Sequence, residues 1–264
     1  MSSVHSICFS PTGTTRTIVQ EICKGTGKPI GVQTDITLPC DRKTHFAVSD
    51  PVVIGMPVYG GRLPVAAVER LRLFQGAETP AAITVIYGNR AYDDALLELY
   101  DLCTQQGFTV VAAAAFIGEH SFSSDSFPIA PGRPDEADQQ KTAAFGKQLS
   151  TANQPLDSGL LPGNRPYKPV MQPEGGATDS NRGTCTLCGQ CAVHCPTGAI
   201  HIADNAVQTD PDRCIWCAAC VKTCPTGSRR IILPKIYEIA ERLHANCQTR
   251  REPEWFPAHS GEMK

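Results

Sequence analysis

Eight of the thirteen cysteines fall between Cys185 and Cys224, and their spacing is regular. Cys185-Thr-Leu-Cys188-Gly-Gln-Cys191-Ala-Val-His-Cys195-Pro recurs as Cys214-Ile-Trp-Cys217-Ala-Ala-Cys220-Val-Lys-Thr-Cys224-Pro, at a constant offset of 29 residues. Each copy is C-x2-C-x2-C-x3-C-P. The first three thiolates wrap a short loop around one face of an iron–sulfur cube. The fourth lies too far along the chain to complete the same cube and ligates the other one. The spacing predicts two [4Fe–4S] clusters, one on Cys185, Cys188, Cys191 and Cys224, the other on Cys195, Cys214, Cys217 and Cys220. A zinc ribbon would pair its knuckles across a wide gap, without a third cysteine so close. Disulfides need an oxidising compartment, and Met1 to Phe9 lacks a basic stretch followed by a long apolar one. With all eight ligand positions supplied, His194 is left as a surface or hydrogen-bonding residue. Trp216 reads as a shield against water, and Lys222, Arg229 and Arg230 as a solvated basic face or a steering patch for an acidic partner.

A second chemical feature stands near the amino terminus. An apolar run ending at Phe9 leads into Ser10-Pro-Thr12-Gly13-Thr14-Thr15-Arg16 and then a helical pattern. At a strand–loop–helix junction of this kind, hydroxyls, backbone amides and the positive helix end converge on a phosphate. No lysine follows the glycine, so the segment is not a P-loop, and it is not G-x-G-x-x-G. No nicotinamide-binding fingerprint is present, which argues against direct NAD(P)H oxidation. Two more loops follow strand-like runs: Gly55-Met-Pro57-Val58-Tyr59-Gly60-Gly61-Arg62 and Tyr87-Gly88-Asn89-Arg90-Ala91-Tyr92-Asp93.

The pattern S-x-T-G-x-T and the two later loops resemble the FMN-binding loops of flavodoxins. The cysteine region, from about Gly183 to Leu233, resembles bacterial-type ferredoxins. From about Val4 to Leu243 the chain is similar to flavoproteins that fuse the two. The resemblance implies an FMN site on Ser10, Thr12, Gly13, Thr14, Thr15, Pro57, Val58, Tyr59, Gly60, Gly61, Gly88, Asn89, Arg90, Tyr92 and Asp93. By the same resemblance Tyr59 neighbours the flavin ring, and Gly60 is free to turn its peptide toward flavin N5. Asn89 and Arg90 then supply donors to the ring oxygens. His120, after the fifth strand, falls at the same sheet end, either to touch flavin, relay a proton or gate a substrate, or as a structural hydrogen-bonding residue.

The elements that must position these residues alternate between short apolar runs and helical patterns, as in a parallel α/β sheet. Strands are expected at Val4–Phe9, Gly31–Leu38, Pro51–Gly55, Ala82–Tyr87 and Thr109–Ile117, with helices between them. The helices fall at Thr14–Lys24, Pro64–Phe74, a segment with Tyr92, Leu96, Leu99 and Cys103 on one face, and Asp135–Leu149. Arg133, Asp135 and Asp138 sit at the start of the last helix, where carboxylates suit the helix dipole. The fold class expected is a flavodoxin-like doubly wound parallel sheet of order 2-1-3-4-5, with a small α+β ferredoxin-like domain. Domain boundaries are expected at 1–152 for the FMN domain, 153–183 for a Pro/Gly-rich linker, 184–233 for the ferredoxin domain, and 234–264 for a helix and tail. The linker packs partly over both domains, since Tyr167 and Met171 are poor choices for a free tether. Pro234–Cys247 reads as an amphipathic helix, and the polar tail from Arg250 as loose. Cys8, Cys23, Cys40, Cys103 and Cys247 read as small core residues.

A chain of 264 residues with net charge −2 is too balanced for a nucleic-acid binder working by broad basic attraction. Its longest apolar run is far short of a membrane span. The expectation is a cytoplasmic carrier passing electrons between two [4Fe–4S] clusters and FMN, exchanging them with redox partner proteins. Two alternatives stay open: a terminal flavin-dependent reductase of a small molecule, with His120 and Tyr87 as proton donors, and a non-enzymatic redox sensor with an empty flavodoxin fold.

Overall fold

The structure, a computed structural model, describes residues 2–41, 43–150, 152 and 154–257. Five strands, β1 (Val4–Cys8), β2 (Ile30–Asp35), β4 (Val52–Pro57), β6 (Thr79–Tyr87) and β7 (Phe108–Ile117), pair in parallel. Their spatial order is β2-β1-β4-β6-β7, which is 2-1-3-4-5 when only these five are numbered. That order defines a flavodoxin-like, doubly wound sheet whose strand order reverses between β1 and β4. Helices α1 (Thr14–Gly25) and α4 (Glu136–Leu149) pack on one face, and α2 (Val65–Leu71) and α3 (Ala95–Gln105) on the other. In β4, Val52, Ile54 and Met56 enter one core and Val53 the other, because successive side chains leave a strand on opposite faces. Burial of both faces is why the central strands are apolar without alternation.

Three expectations about the elements need correction. Among the described residues no helix joins β2 to β4, where the sheet pattern calls for one; the link carries β3 (Thr44–Phe46), paired with β5 (Phe74–Gly76), which replaces the expected end of α2. The helix with Leu96, Leu99 and Cys103 begins at Ala95, so Tyr92 lies in the loop ahead of it, although all four are buried. The tail is not loose where it is described. β12 (Glu254–Pro257) adds antiparallel to β7, pairing Trp255 with Ala114 and Phe256 with Ala113. It covers backbone groups that an edge strand would leave unpaired. The Trp255 ring stands 5.9 Å from that of Phe145. The first expected linker residue, Asn153, and tail residues 258–264 lie outside the described residues.

The linker is strapped to the sheet domain. Leu156 and Leu161 join its core, and the Asp94 carboxylate accepts from the amides of Asn164 (2.9 Å) and Lys168 (2.7 Å). Beyond it lie two small antiparallel pairs, β8 (Thr178–Ser180) with β11 (Arg229–Ile231), and β9 (Ile200–Ala203) with β10 (Ala206–Thr209). Short helices α5 (Gln190–Val193) and α6 (Ala219–Lys222) stand at matching places in the sequence repeat. Helix α7 (Pro234–Asn246) starts with proline at a position where its missing N–H costs nothing, and turns Ile236, Ala240 and Leu243 inward. Among the described residues no helix is long and apolar enough to cross a membrane.

Candidate functional site

The register of the parallel strands aligns Pro57 with Ile86 and Tyr87 with Ile117, so the carboxyl ends of the strands form one rim. The loops leaving that rim enclose a cavity of about 420 Å3. Thr12, Thr14 and Thr15 line it from the first loop, Pro57, Val58, Tyr59 and Gly60 from the second, and Gly88 and Arg90 from the third. At the entry to α1, Ser10 Oγ accepts from the Arg16 amide (2.9 Å), and the Ser10 amide donates to Thr37 Oγ1 (2.7 Å). Gly13 takes φ of +87° as the N-cap, and no acidic residue occupies the first turn, which leaves that helix end positive. In the second loop Tyr59 and Arg62 exchange backbone hydrogen bonds across a turn in which Gly60 has φ of +61°. Met171 of the linker lies directly over Gly60, where a Cβ would fall 2.9 Å from the methionine Cβ.

Six expected flavin contacts stand elsewhere. Ser10 and Gly13 build the first loop from behind without lining the cavity. Asn89 is buried and turned away: its amide donates to the carbonyls of Cys247 (2.8 Å) and Thr249 (2.9 Å) and its Oδ1 accepts from the Arg251 amide (3.0 Å). Both amide hydrogens and Oδ1 of the side chain clasp the carboxyl-terminal segment, so the side chain has no donor left for a ring oxygen. Tyr92 donates to Glu254 (2.8 Å), Asp93 pairs with Arg90 and Lys168, and Gly61 lies against the Asp93 side chain.

The far wall of the cavity comes from segments with no visible motif: Phe122 after β7, Lys168, Pro169 and Met171 of the linker, and Ile239, Arg242 and Leu243 of α7. His120 also lines it, held against Gly88, where a Cβ would sit 2.2 Å from the imidazole Cδ2. Its Nδ1 accepts from the Phe122 amide (3.0 Å), which assigns the proton of the neutral ring to Nε2. Burial, with Arg90 nearby, lowers its pKa to about 4. It is therefore a neutral hydrogen-bond donor at pH 7. Tyr87 also borders the cavity, but its phenol, pushed up by burial, faces the charges of Glu254 and Arg251.

The His120 shift carries a pH dependence. An unfolded histidine protonates near 6.5, so between that value and about 4 the unfolded chain binds more protons than the folded one. Stability is therefore undiminished above 6.5, falls as the pH drops through this window, and levels off below 4. Between pH 7 and pH 5, urea unfolding is expected to show a loss of stability about 2 kcal/mol larger in the wild type than in His120→Gln. Equal losses in the two proteins would show that the imidazole is not held neutral.

The cysteines lie around two separate cavities. One is lined by Cys185, Cys188, Cys191 and Cys224, the other by Cys195, Cys214, Cys217 and Cys220. Backbone donors face the sulfurs: the Ala199 amide stands 3.2 Å from Cys195 Sγ. At Cys224 burial raises the thiol, but amides of Arg229, Thr226 and Ser228 and the Thr226 hydroxyl outweigh it, and the pKa falls to about 7. Four convergent thiols with amides donating to sulfur suit an anionic iron–sulfur centre. Among the described residues no group of three His, Cys, Asp or Glu side chains is placed to hold a single metal ion.

Ile215 and Trp216 line both the strand-end cavity and the cavity of Cys195, Cys214, Cys217 and Cys220. Trp216 is 4% exposed and its indole donates to the Gly175 carbonyl (2.9 Å). The Tyr59 phenol is raised mainly by burial. At the equivalent place in the first repeat, Leu187 has the same φ of +56° but is 37% exposed, and Cys188 is exposed. Lys222 reaches Glu119 (2.9 Å) and Arg70 reaches the Pro196 carbonyl (2.5 Å), which ties the two halves together. Arg229 is not part of a solvated face: it is 3% exposed.

Residues 184–228 match the family model of a 4Fe-4S dicluster domain. No curated protein matches the sequence. Among solved structures, flavodoxin 1 from Bacillus cereus is 17% identical with a TM-score of 0.42, over 58% of this chain and 100% of that one. A Fusobacterium nucleatum flavodoxin bound to flavin mononucleotide is 13% identical with a TM-score of 0.41, over 58% of this chain and 100% of that one. The Flv1 flavodiiron core from Synechocystis is 14% identical with a TM-score of 0.42 over 57% of this chain, which spans only 36% of that protein. The strand order carries the assignment of a flavodoxin-like sheet, and the family match that of an iron–sulfur segment following it.

Proposed function

We propose that this chain is an electron-transfer protein that carries FMN in the strand-end cavity and a [4Fe–4S] cluster in each of the two cysteine cavities. The observation that carries this is the shared wall: Ile215 and Trp216 border both the flavin cavity and the inner cluster cavity. Bound FMN supplies a centre that holds up to two electrons, whereas each cluster passes one at a time.

The chain's own residues hold and separate these groups. Thr12, Thr14, Thr15 and the start of α1 take the phosphate. Val58, Tyr59, Gly60, Gly88 and Arg90 border the ring, while Met171, Phe122 and Ile239 exclude water from it. The outer cluster lies on Cys185, Cys188, Cys191 and Cys224, with the exposed Leu187–Cys188 knuckle as the place where a partner protein exchanges electrons. The inner cluster, on Cys195, Cys214, Cys217 and Cys220, stands between it and the flavin. The strapped linker and α7 fix the two halves, so the intramolecular step does not wait on diffusion.

The linker residues over the cavity favour a second reading, a reductase acting on a small molecule at the flavin. Against it, His120 is neutral at pH 7 and the Tyr87 phenol faces Glu254, so neither offers a ready proton.

Anaerobically purified protein is expected to contain about eight irons, eight sulfides and one FMN per chain. Iron without flavin, even after incubation with FMN, would leave a ferredoxin unit on an empty sheet domain and remove the proposed acceptor.

A further inference from the structure

Arg229 is buried with no carboxylate to pair with among the described residues. Its Nη2 donates to Thr178 Oγ1 (2.5 Å) and Thr209 Oγ1 (2.7 Å), and its Nη1 to Ser180 Oγ (3.1 Å). All of these are neutral, and Nε has no hydrogen-bond partner. A guanidinium removed from water without a counter-charge is costly. The fold does not require it. The repeat offset of 29 residues places Ile200 at the equivalent position, where it is buried in the apolar cluster around Cys191 and Cys220. One half of the pseudo-symmetric unit therefore packs well with an aliphatic side chain where the other buries a cation.

Beside the Thr178 carbonyl (3.4 Å), also neutral, the remaining neighbour of Nη2 is a sulfur. Arg229 lines the outer cysteine cavity, and its Nη2 is 4.0 Å from Cys220 Sγ, a residue of the inner one. We infer that Arg229 is the buried counter-cation of the clusters, a positioning residue that raises their reduction potentials, most strongly in the outer cavity it lines. An oxidised cluster with four thiolates carries about −2, and reduction adds one electron with no bond made or broken. A fixed positive charge stabilises the more negative state, so it favours the reduced cluster. The inference rests on the cluster reading above.

The test is a redox titration of the iron-loaded, full-length protein, followed by the electron paramagnetic resonance of the reduced clusters. Dithionite serves as reductant, and Arg229→Gln and Arg229→Lys are compared with the wild type. Arg229→Gln, which keeps hydrogen-bonding capacity and loses the charge, is expected to shift the outer cluster's equilibrium at least tenfold toward oxidised, about 59 mV for one electron. Arg229→Lys is expected to stay within threefold of the wild type. Fully loaded Arg229→Gln with unchanged potentials would overturn the role of Arg229 alone, as would a lysine variant shifted as far as the glutamine one. Wild-type protein that binds no iron–sulfur cluster would overturn the cluster reading as well.

Discussion

Arg133→Met is expected to lower the unfolding free energy by about 3–5 kcal/mol, the cost of leaving a buried charge without its partner. The partner is Asp138, fully buried, whose carboxylate accepts from Arg133 Nε (2.7 Å) and also from Arg133 Nη2. Asp138 further accepts from the Asp135 amide (3.0 Å), closing a capping box at the start of α4. The arginine's remaining nitrogen donates to the Arg251 carbonyl (2.8 Å), and Arg250 reaches Asp135 and Asp138. The pair thus ties α4 to the segment that delivers β12, and its loss loosens both. Urea unfolding of the variant checks the magnitude, and the double variant Arg133→Met/Asp138→Leu is expected to recover part of the loss. A single variant as stable as the wild type would mean that Arg250 alone compensates Asp138.

Cys217→Ala is expected to leave FMN bound and to slow flavin reduction through the clusters by about two orders of magnitude or more. Cys217 is buried at the inner cavity beside Trp216. Alanine preserves most of the packing while removing one of four ligands, so the expected loss is the inner cluster. Electrons entering at the outer cluster then lack the centre nearest the flavin. Loss of one cluster's resonance, with flavin content kept, separates this outcome from misfolding. Flavin reduction at the wild-type rate in such a variant would place the route elsewhere.

What was legible in the sequence was local. The cysteine repeat is a matter of spacing, and β4, β6 and β7 announce themselves as apolar runs, whereas the edge strand β2 is half polar and mostly exposed. Three loops at strand ends identified Thr12, Tyr59 and Arg90 because a parallel sheet brings those ends together. The far wall was not legible, since Met171, Trp216 and Ile239 reach the cavity from segments far along the chain that share no pattern with it. Asn89 departs from its expected role for a related reason: a polar residue in a strand-end loop resembles a ligand contact, but a distant backbone segment uses its side-chain donors. In the sequence Arg229 and Arg230 look alike, as a basic surface. A three-residue strand is too short for alternation to show that one arginine points inward and the other outward. β12 was missed because its pairing depends on the free edge of β7, which the tail sequence does not reveal.

In the proposed route, clusters and flavin in one chain exchange electrons across the Ile215–Trp216 wall. This exchange is tested most directly by anaerobic rapid mixing of the loaded protein with a reduced two-[4Fe–4S] ferredoxin, following cluster and flavin absorbance separately. Cluster bleaching is expected first, with flavin bleaching following at a rate independent of ferredoxin concentration. Clusters that become reduced while the flavin stays oxidised would contradict it.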